Sequence, residues 1–289
     1  MKSKRLRHPR TPLIAIAIAS IVVVSVALIW AQNYSGTQTT GVKAAIVDQL
    51  SLTSSNPAFV EAATKYLREA GYSVDYFPGQ DVTVEFFRNL PSQGYRFLVL
   101  RVEAAADSSG AAAALFTSEP YSAEKYPQEQ LSGQLGRVWY DPEGGAPYFG
   151  VSQEFVKQSM KGRFPNSLIL MMDGKGIFFT LMGTAFVERG ARTIVGWSDT
   201  VDWSFTELGY YSDYVAARFL QHLLGKKQTL NESITETMAE VGPDPLYESK
   251  LVYYPLDSEF ILMSAVEAPF SSSMRFQSAG LSLARRQLS

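Results

Sequence analysis

The sequence predicts an α/β protein built on a doubly wound, mostly parallel sheet of about six strands, with helices on both faces. Three consecutive segments carry this prediction. Residues 168–172 form an unbroken apolar run that is too short for a helix and is typical of a strand buried on both faces. Residues 178–189 place apolar side chains at helical spacing, and Gly190 follows as a helix stop. Residues 193–197 form a second apolar, β-branched run, so the three segments predict a strand, a helix and a parallel strand.

Two further strand-helix units precede this central one. Their strands are predicted at residues 42–47, 72–77 and 97–102, with one helix between Asn56-Pro57 and Gly71 and another at 84–90. Because each helix separates two strands, the connections favour parallel pairing.

The remaining pattern is less regular. In chain order we expect a small-residue loop at 104–114, a β-hairpin insertion at 115–151 with its turn at 141–147, a helix at 152–162, helices at about 206–224 and 231–241, and a last strand at 250–254. Residues 256–289 are predicted to be a loosely attached extension, since their patterning is weak.

The first residues predict a membrane anchor. Residues 1–10 contain five cations and no acid, and residues 13–30 are 18 residues without a charge, enough to span a bilayer. A cleaved signal peptide is the alternative, but its apolar region is roughly 7 to 15 residues with a small-x-small site after it, and Ile29-Trp30-Ala31 fits that site poorly. We therefore expect a cytoplasmic tail and single-pass anchor in 1–31, a tether in 32–41 and an extracytoplasmic domain in 42–255, because the basic flank stays in the cytoplasm.

Composition excludes several kinds of chemistry. The chain has no cysteine, which rules out disulfides, thiolate metal sites and a cysteine nucleophile, and its two histidines, His8 and His222, leave little room for a histidine-assisted site. Without the five cations of the tail, the rest of the chain carries a formal charge of −7. Nucleic acid is therefore not an expected partner, and we expect neither a metal nor another cofactor.

Candidate site residues follow the predicted strand ends. In open parallel sheets ligands bind beyond the carboxyl ends of the strands, where the loops are free to vary. Three loops should therefore converge at this edge. They contain Glu103 after the third strand, Asp173 and Lys175 after the fourth, and Trp197, Ser198, Asp199, Asp202 and Trp203 at the end of the fifth.

The order of these elements resembles the caspase-like fold, and among its branches the gingipain-like or CHAT-like cysteine peptidases. Those families place a catalytic His directly after the third strand and a catalytic Cys directly after the fourth. Residues 97–103 are similar to the His segment, with Glu103 at the His position. Residues 168–176 are similar to the Cys segment, with Lys175 at the Cys position, and the likeness continues through residues 185–190 and Gly196-Trp197. The resemblance covers residues 42–254.

The two departures imply a catalytically inactive member of this fold. A cysteine peptidase needs a thiolate activated by an imidazole, and Glu103 with Lys175 supplies neither. With the third and fourth strands paired, adjacent strands lie about 4.8 Å apart, so we expect Lys175 to form an ion pair with Glu103 or Asp173. Arg101 is a second candidate partner for Glu103.

Three functions stay open. The first is a membrane-anchored pseudo-peptidase that binds a peptide or protein, with aromatic faces and the carboxylates of Asp199 and Asp202 favouring a basic side chain. The second is a hydrolase that uses Ser108, Ser109 or Ser198 as nucleophile and Lys175 as base. The third is a purely structural cell-surface domain, in which Trp197 and Trp203 pack beneath a loop and the acids face water.

Overall fold

The computed structural model describes residues 41–106, 113–140, 145–172, 179–201, 205–206 and 209–256. By their internal contacts, residues 1–41 and residues 42–289 form two separate units. The predicted anchor at 13–30, the tether and most of the C-terminal extension lie outside the described residues. In the part that is described, no helix has the length and apolar character needed to cross a membrane.

The protein is α/β, with a mixed, mostly parallel six-stranded sheet. Its strands are β1 (Lys43–Asp48), β2 (Ser73–Pro78), β3 (Tyr95–Arg101), β8 (Leu168–Met171), β9 (Thr193–Trp197) and β12 (Leu251–Tyr254). Their order across the sheet is β12-β9-β8-β3-β1-β2, and only the β9–β12 pair is antiparallel. The predicted fold class is confirmed at this level.

Helices cover both faces of this sheet, and the four inner strands β1, β3, β8 and β9 are therefore buried on both sides. The helices are α1 (Pro57–Glu69), α2 (Val84–Asn89), α3 (Pro127–Leu131), α4 (Gln153–Gln158), α5 (Phe179–Glu188), α6 (Tyr211–Leu220) and α7 (Leu230–Val241). One core cluster joins α2, α4 and α5 to alternate strand residues such as Leu98 and Leu100. The other joins α1, α6 and α7 to the intervening residues such as Phe97 and Val99.

Local signals explain where several helices begin and end. The side chains of Asn56, Thr83 and Ser152 accept hydrogen bonds from first-turn amides of α1, α2 and α4, as N-caps do. Thr229 and Glu232 form a capping box at the start of α7. Gly190 ends the turn after α5 with a φ of 102°, and a Cβ there would lie 2.6 Å from the Phe164 carbonyl oxygen, so glycine is required.

The insertion is larger than the predicted hairpin. The hairpin itself is present, as β6 (Leu135–Val138) paired with β7 (Tyr148–Ser152). It belongs to a four-stranded antiparallel sheet, however, which also contains β4 (Ala104–Ala106) and β5 (Ala113–Pro120) and has the order β4-β5-β7-β6. The loop predicted at 104–114 is wrong in part, because β4 pairs with β5. Alanine has low strand propensity, so only the tertiary pairing reveals these strands.

The predicted helix at 206–224 is also corrected. Phe205–Thr206 (β10) and Gly209–Tyr210 (β11) form a short antiparallel pair, and α6 begins only at Tyr211 because Tyr210 has an extended backbone. The helix then passes into a π-helical turn, Gln221–Gly225. His222 lies in this turn.

Candidate functional site

The carboxyl ends of four parallel strands lie side by side on one edge of the main sheet. Leu100 of β3 is in register with Met171 of β8, and Leu170 of β8 is in register with Val195 of β9. The ends of these strands are therefore neighbours at one edge, while the predicted convergence of the three loops stays a prediction, because residues 173–178 lie outside the described residues. Four of the candidate residues, Asp173, Lys175, Asp202 and Trp203, lie outside the described residues, and the expected ion pair of Lys175 stays a prediction.

A buried ion-paired cluster, which we call the arginine node, fills the edge where β1 and β3 end. The Arg101 side chain has no exposed surface. Its Nε and Nη2 donate to the two carboxylate oxygens of Asp213 at 2.8 Å each, and its Nη1 donates to Asp48 at 2.8 Å. Nη2 also donates to the Ser54 carbonyl oxygen at 2.6 Å. Arg101 therefore forms its ion pairs with Asp48 and Asp213. The suggested pairing of Arg101 with Glu103 is wrong.

The node contains two carboxylates and one guanidinium, so its formal charge is −1. Two neutral donors offset that excess: Asn56 donates to Asp213 at 2.8 Å, and the Tyr76 hydroxyl donates to Asp48 at 3.0 Å. Burial works to lower the pKa of Arg101, but the hydrogen bonds and charges of Asp213 and Asp48 outweigh burial and raise that pKa. Burial and the neighbouring Asp48 carboxylate raise the pKa of Tyr76 to about 12.

The arginine node lies at the point where the strand order of the main sheet reverses. The chain passes from β1 to β2 on one side and continues at β3 on the other, so the strand order reverses between β1 and β3. Open α/β sheets bind ligands at such a switch point. Here Arg101, Asp48 and Asp213 are nearly inaccessible to solvent and occupy the place that a ligand would take. A ligand at this switch point would have to displace the node.

Glu103 lies next to the node and is held through its backbone. The buried side chain of Gln49 accepts a hydrogen bond from the Glu103 amide at 3.0 Å. The same Gln49 side chain donates to the hydroxyl of Tyr140, which in turn donates to the Thr117 carbonyl oxygen at 3.2 Å. Burial raises the pKa of Tyr140, with a smaller contribution from Glu103. The end of β1, the end of β3 and the smaller sheet are thereby fastened together, which keeps the Glu103 backbone in place.

Trp197 does not line an open cleft. Its side chain is buried, with its ring centroid 5.8 Å from that of Tyr211. Its indole N–H has no hydrogen-bond partner in the part of the chain that the structure describes. Of the two placements that the sequence left open for this tryptophan, the structure has the packed one.

Two loops of this edge are described by the structure, residues 198–201 after β9 and 244–250 before β12, and we call them the rim loops. Four hydrogen bonds join them. The Ser198 amide donates to the Lys250 carbonyl oxygen and the Lys250 amide to Ser198 Oγ, at 2.8 and 3.0 Å. The Asp199 amide donates to Ser249 Oγ and that hydroxyl to the Asp199 carbonyl oxygen, at 3.0 and 2.8 Å. Asp199 is exposed, and its Oδ1 accepts a hydrogen bond from the Thr200 amide at 2.7 Å.

A buried aspartate shapes the second rim loop. Asp244 has no exposed surface, and its Oδ1 accepts hydrogen bonds from the Leu246 and Tyr247 amides at 3.0 and 2.7 Å. The turn therefore presents Leu246 and Tyr247 outward, with 62% and 48% of their surfaces exposed. Glu248 beside them is also exposed. The two adjacent side chains form a small exposed apolar patch on this turn.

Neither a nucleophile-base pair nor a metal cluster is formed by the residues that the structure describes. Ser198 Oγ is bonded to the Lys250 amide, while Ser108 and Ser109 lie outside the described residues. His222 is buried at α6 and α7, where Nε2 lies 3.1 Å from Glu240 and Nδ1 lies 3.1 Å from Gln228, far along the chain from the edge loops. Within the same described residues, no group of three His, Cys, Asp or Glu side chains could hold a metal ion.

Several residues of this edge were not predicted from the sequence. Asp48 and Gln49 follow the first apolar run directly, so their position at a strand end was a usable signal. Asp213 and Asp244 carried no such signal, because their partners are distant in the chain. Leu246 and Tyr247 resemble ordinary core residues in the sequence, and only the turn shows that they face outward.

Comparison with known proteins adds no relative: no protein-family model matches this chain, and no curated protein matches it significantly.

Proposed function

We propose that this protein is a membrane-anchored, extracytoplasmic pseudo-peptidase of the caspase/gingipain-like fold that binds a peptide or protein at the β3-β8-β9 edge. The observation that carries the proposal is the pair of rim loops, which join an exposed carboxylate, Asp199, to two outward apolar side chains, Leu246 and Tyr247. A peptide that places a basic side chain near Asp199 and an apolar one on Leu246 and Tyr247 matches this surface.

Three further features support it. The third and fourth strands of the main sheet, β3 and β8, are paired in parallel, which agrees with the resemblance. The chain contains no cysteine, and Glu103 stands where the resemblance implies the catalytic histidine. The node fills the neighbouring switch point, and the rim loops carry exposed side chains on the same sheet edge. The anchor rests on the 18 uncharged residues at 13–30.

The binding test is a fluorescent peptide array in which one position is varied, read with the full chain. We expect binding to favour Lys or Arg at one position, and Asp199→Asn to remove that preference. Leu246→Ser with Tyr247→Ser should weaken binding to every peptide. Lys65→Gln, an exposed change on α1, is the control. Equal binding by the wild type and Asp199→Asn would count against the proposed surface.

The hydrolase alternative has its own test. A broad serine-reactive probe and a peptide-cleavage assay should show neither labelling nor turnover. Turnover that Lys175→Ala abolishes would instead support the serine enzyme. Conversely, the double change Glu103→His with Lys175→Cys restores the residues that the resemblance implies at both strand ends, and recovered peptidase activity would support the family assignment.

The anchor is tested by extraction. We expect the full chain to stay with membranes in carbonate and in high salt, because surface charge alone would not hold it there. Release of a soluble form lacking residues 1–31 would contradict the anchor and support the cleaved signal.

A further inference from the structure

The smaller sheet ends in an exposed strand, β6, that lies apart from the rim loops. In the described residues β6 pairs with β7 alone. The Ser152 amide donates to the Gln134 carbonyl oxygen, so in this antiparallel register Gly136 and Val138 direct their backbone groups to β7, while Leu135 and Arg137 direct theirs to the other side. Trp139 directly after the strand is 42% exposed, and Leu131 at the end of α3 is 83% exposed. Such an edge offers backbone donors and acceptors beside apolar surface.

Arg137 of this strand is held in a fixed orientation by two aromatic rings. Its guanidinium carbon lies 5.1 Å from the ring centre of Tyr121 and 5.9 Å from that of Trp139. Trp139 is two residues further along, so it projects on the same side. Tyr121 is itself fixed, because its hydroxyl donates to Gln130 at 2.6 Å and its ring packs on Phe149. The cation is therefore already ordered before any ligand arrives.

What distinguishes Arg137 is the lack of an acid. Two other arginines that stack on rings each pair with carboxylates: Arg88 with Glu85 and Glu129, and Arg218 with Glu240. Arg137 is exposed and has neither a hydrogen bond nor an ion pair to any residue that the structure describes. It is an exposed cation without a carboxylate partner among the described residues, and this local charge favours an acidic group at that position.

We propose that β6 is a docking strand for an extended acidic segment of a partner polypeptide, which adds to the sheet edge and places a carboxylate on Arg137. The guanidinium can bind a carboxylate with two parallel hydrogen bonds. Strand addition uses the outward backbone groups of Leu135 and Arg137, and apolar neighbours of the acid pack on Trp139. This surface is distinct from the rim loops and does not depend on the function proposed for them.

The test uses the full chain in detergent and two short fluorescent peptides of alternating threonine and valine, one with a central glutamate and one with glutamine in its place. We expect the wild type to bind the glutamate peptide about tenfold more tightly, as a charge-assisted bidentate hydrogen bond implies. Arg137→Gln should abolish that selectivity, and Arg137→Lys should retain only part of it. Trp139→Ala should weaken both peptides equally.

Arg68→Gln, an exposed arginine on α1, is the matched control and should bind as the wild type does. Because Arg137 is exposed, its variants should keep the wild-type urea midpoint, which separates lost binding from lost folding. Equal binding of the two peptides by the wild type, or no binding of either, overturns the proposal. Binding of polygalacturonate that depends on Arg137, without binding of the glutamate peptide, would instead identify an acidic polysaccharide and overturn the polypeptide partner.

Discussion

The arginine node and the rim loops lie on the same edge of the same sheet, and both are built around aspartates. In the node, Asp48 and Asp213 are at most 2% exposed, and each side-chain nitrogen of Arg101 donates a hydrogen bond to one of these carboxylates or to the Ser54 carbonyl oxygen. In the rim loops the buried aspartate, Asp244, binds backbone amides of its own turn and leaves apolar side chains outside.

This difference shows that acidic residues at strand ends do not by themselves mark a ligand site. The carboxylates of the node, on β1 and α6, are ion-paired with Arg101 of β3, so their role is to hold β1, β3 and α6 together. The aspartate of the rim loops uses its charge to shape a turn, and the surface that results is available to a ligand. Four measurements test this contrast, and the largest effect is expected in the node.

Arg101→Leu should destabilise the protein by about 3–5 kcal/mol, because it leaves Asp48 and Asp213 buried without their cation. Urea unfolding followed by circular dichroism measures this change. Arg68→Leu on the exposed side of α1 should change stability by no more than about 0.5 kcal/mol. Similar losses for the two variants would mean that the node does not hold the strand ends together.

Asp244→Ala should cost about 1–3 kcal/mol, since the amides of Leu246 and Tyr247 lose their buried acceptor. Hydrogen exchange of residues 245–248 should accelerate at the same time. Asp244→Asn keeps one acceptor oxygen and is expected to recover part of the loss. If Asp244→Ala leaves exchange in the turn unchanged, the turn is held by something other than this carboxylate.

The stability of the protein should fall as the pH rises from about 10 to about 12, and Tyr76 should account for part of that fall. Its folded pKa is raised, so the folded state holds the phenolic proton above the pH at which the unfolded chain releases it. The resulting stability is fully present below pH 10 and is lost as the pH passes the folded pKa.

Tyr76→Phe removes the ionisation and should flatten this decline. The measurement is urea unfolding at several pH values together with absorbance titration of the tyrosines. If stability falls with pH equally steeply in Tyr76→Phe, ionisation of the Tyr76 hydroxyl beside Asp48 does not cause the decline.

Leu246→Ser and Tyr247→Ser should change stability least, by no more than about 0.5 kcal/mol, because both side chains already face solvent. Their effect should instead appear in peptide binding. A loss of stability comparable to that of Asp244→Ala would mean that these side chains pack against the protein, and that the rim loops are not a binding surface.

Local pattern was enough to predict most of the main sheet and its helices. Apolar runs of strand length, N-caps such as Asn56 and Thr83, and the stop at Gly190 depend on neighbouring residues, so the sequence contains their physical cause. The adjacency of the strand ends at one edge agrees with the handedness of the connections between parallel strands.

Contacts between distant residues decided the rest. The strands β4 and β5 form because they pair with each other and with β7, and their alanines have no strand preference of their own. Arg101 meets Asp213 across more than a hundred residues, so the sequence could place a cation at the strand end but not select its partner. For the same reason Trp197 was equally compatible with a cleft and with the core until α6 placed Tyr211 against its ring. Burial is a property of the assembled layers, and it is burial that separates the structural aspartates from the exposed edge.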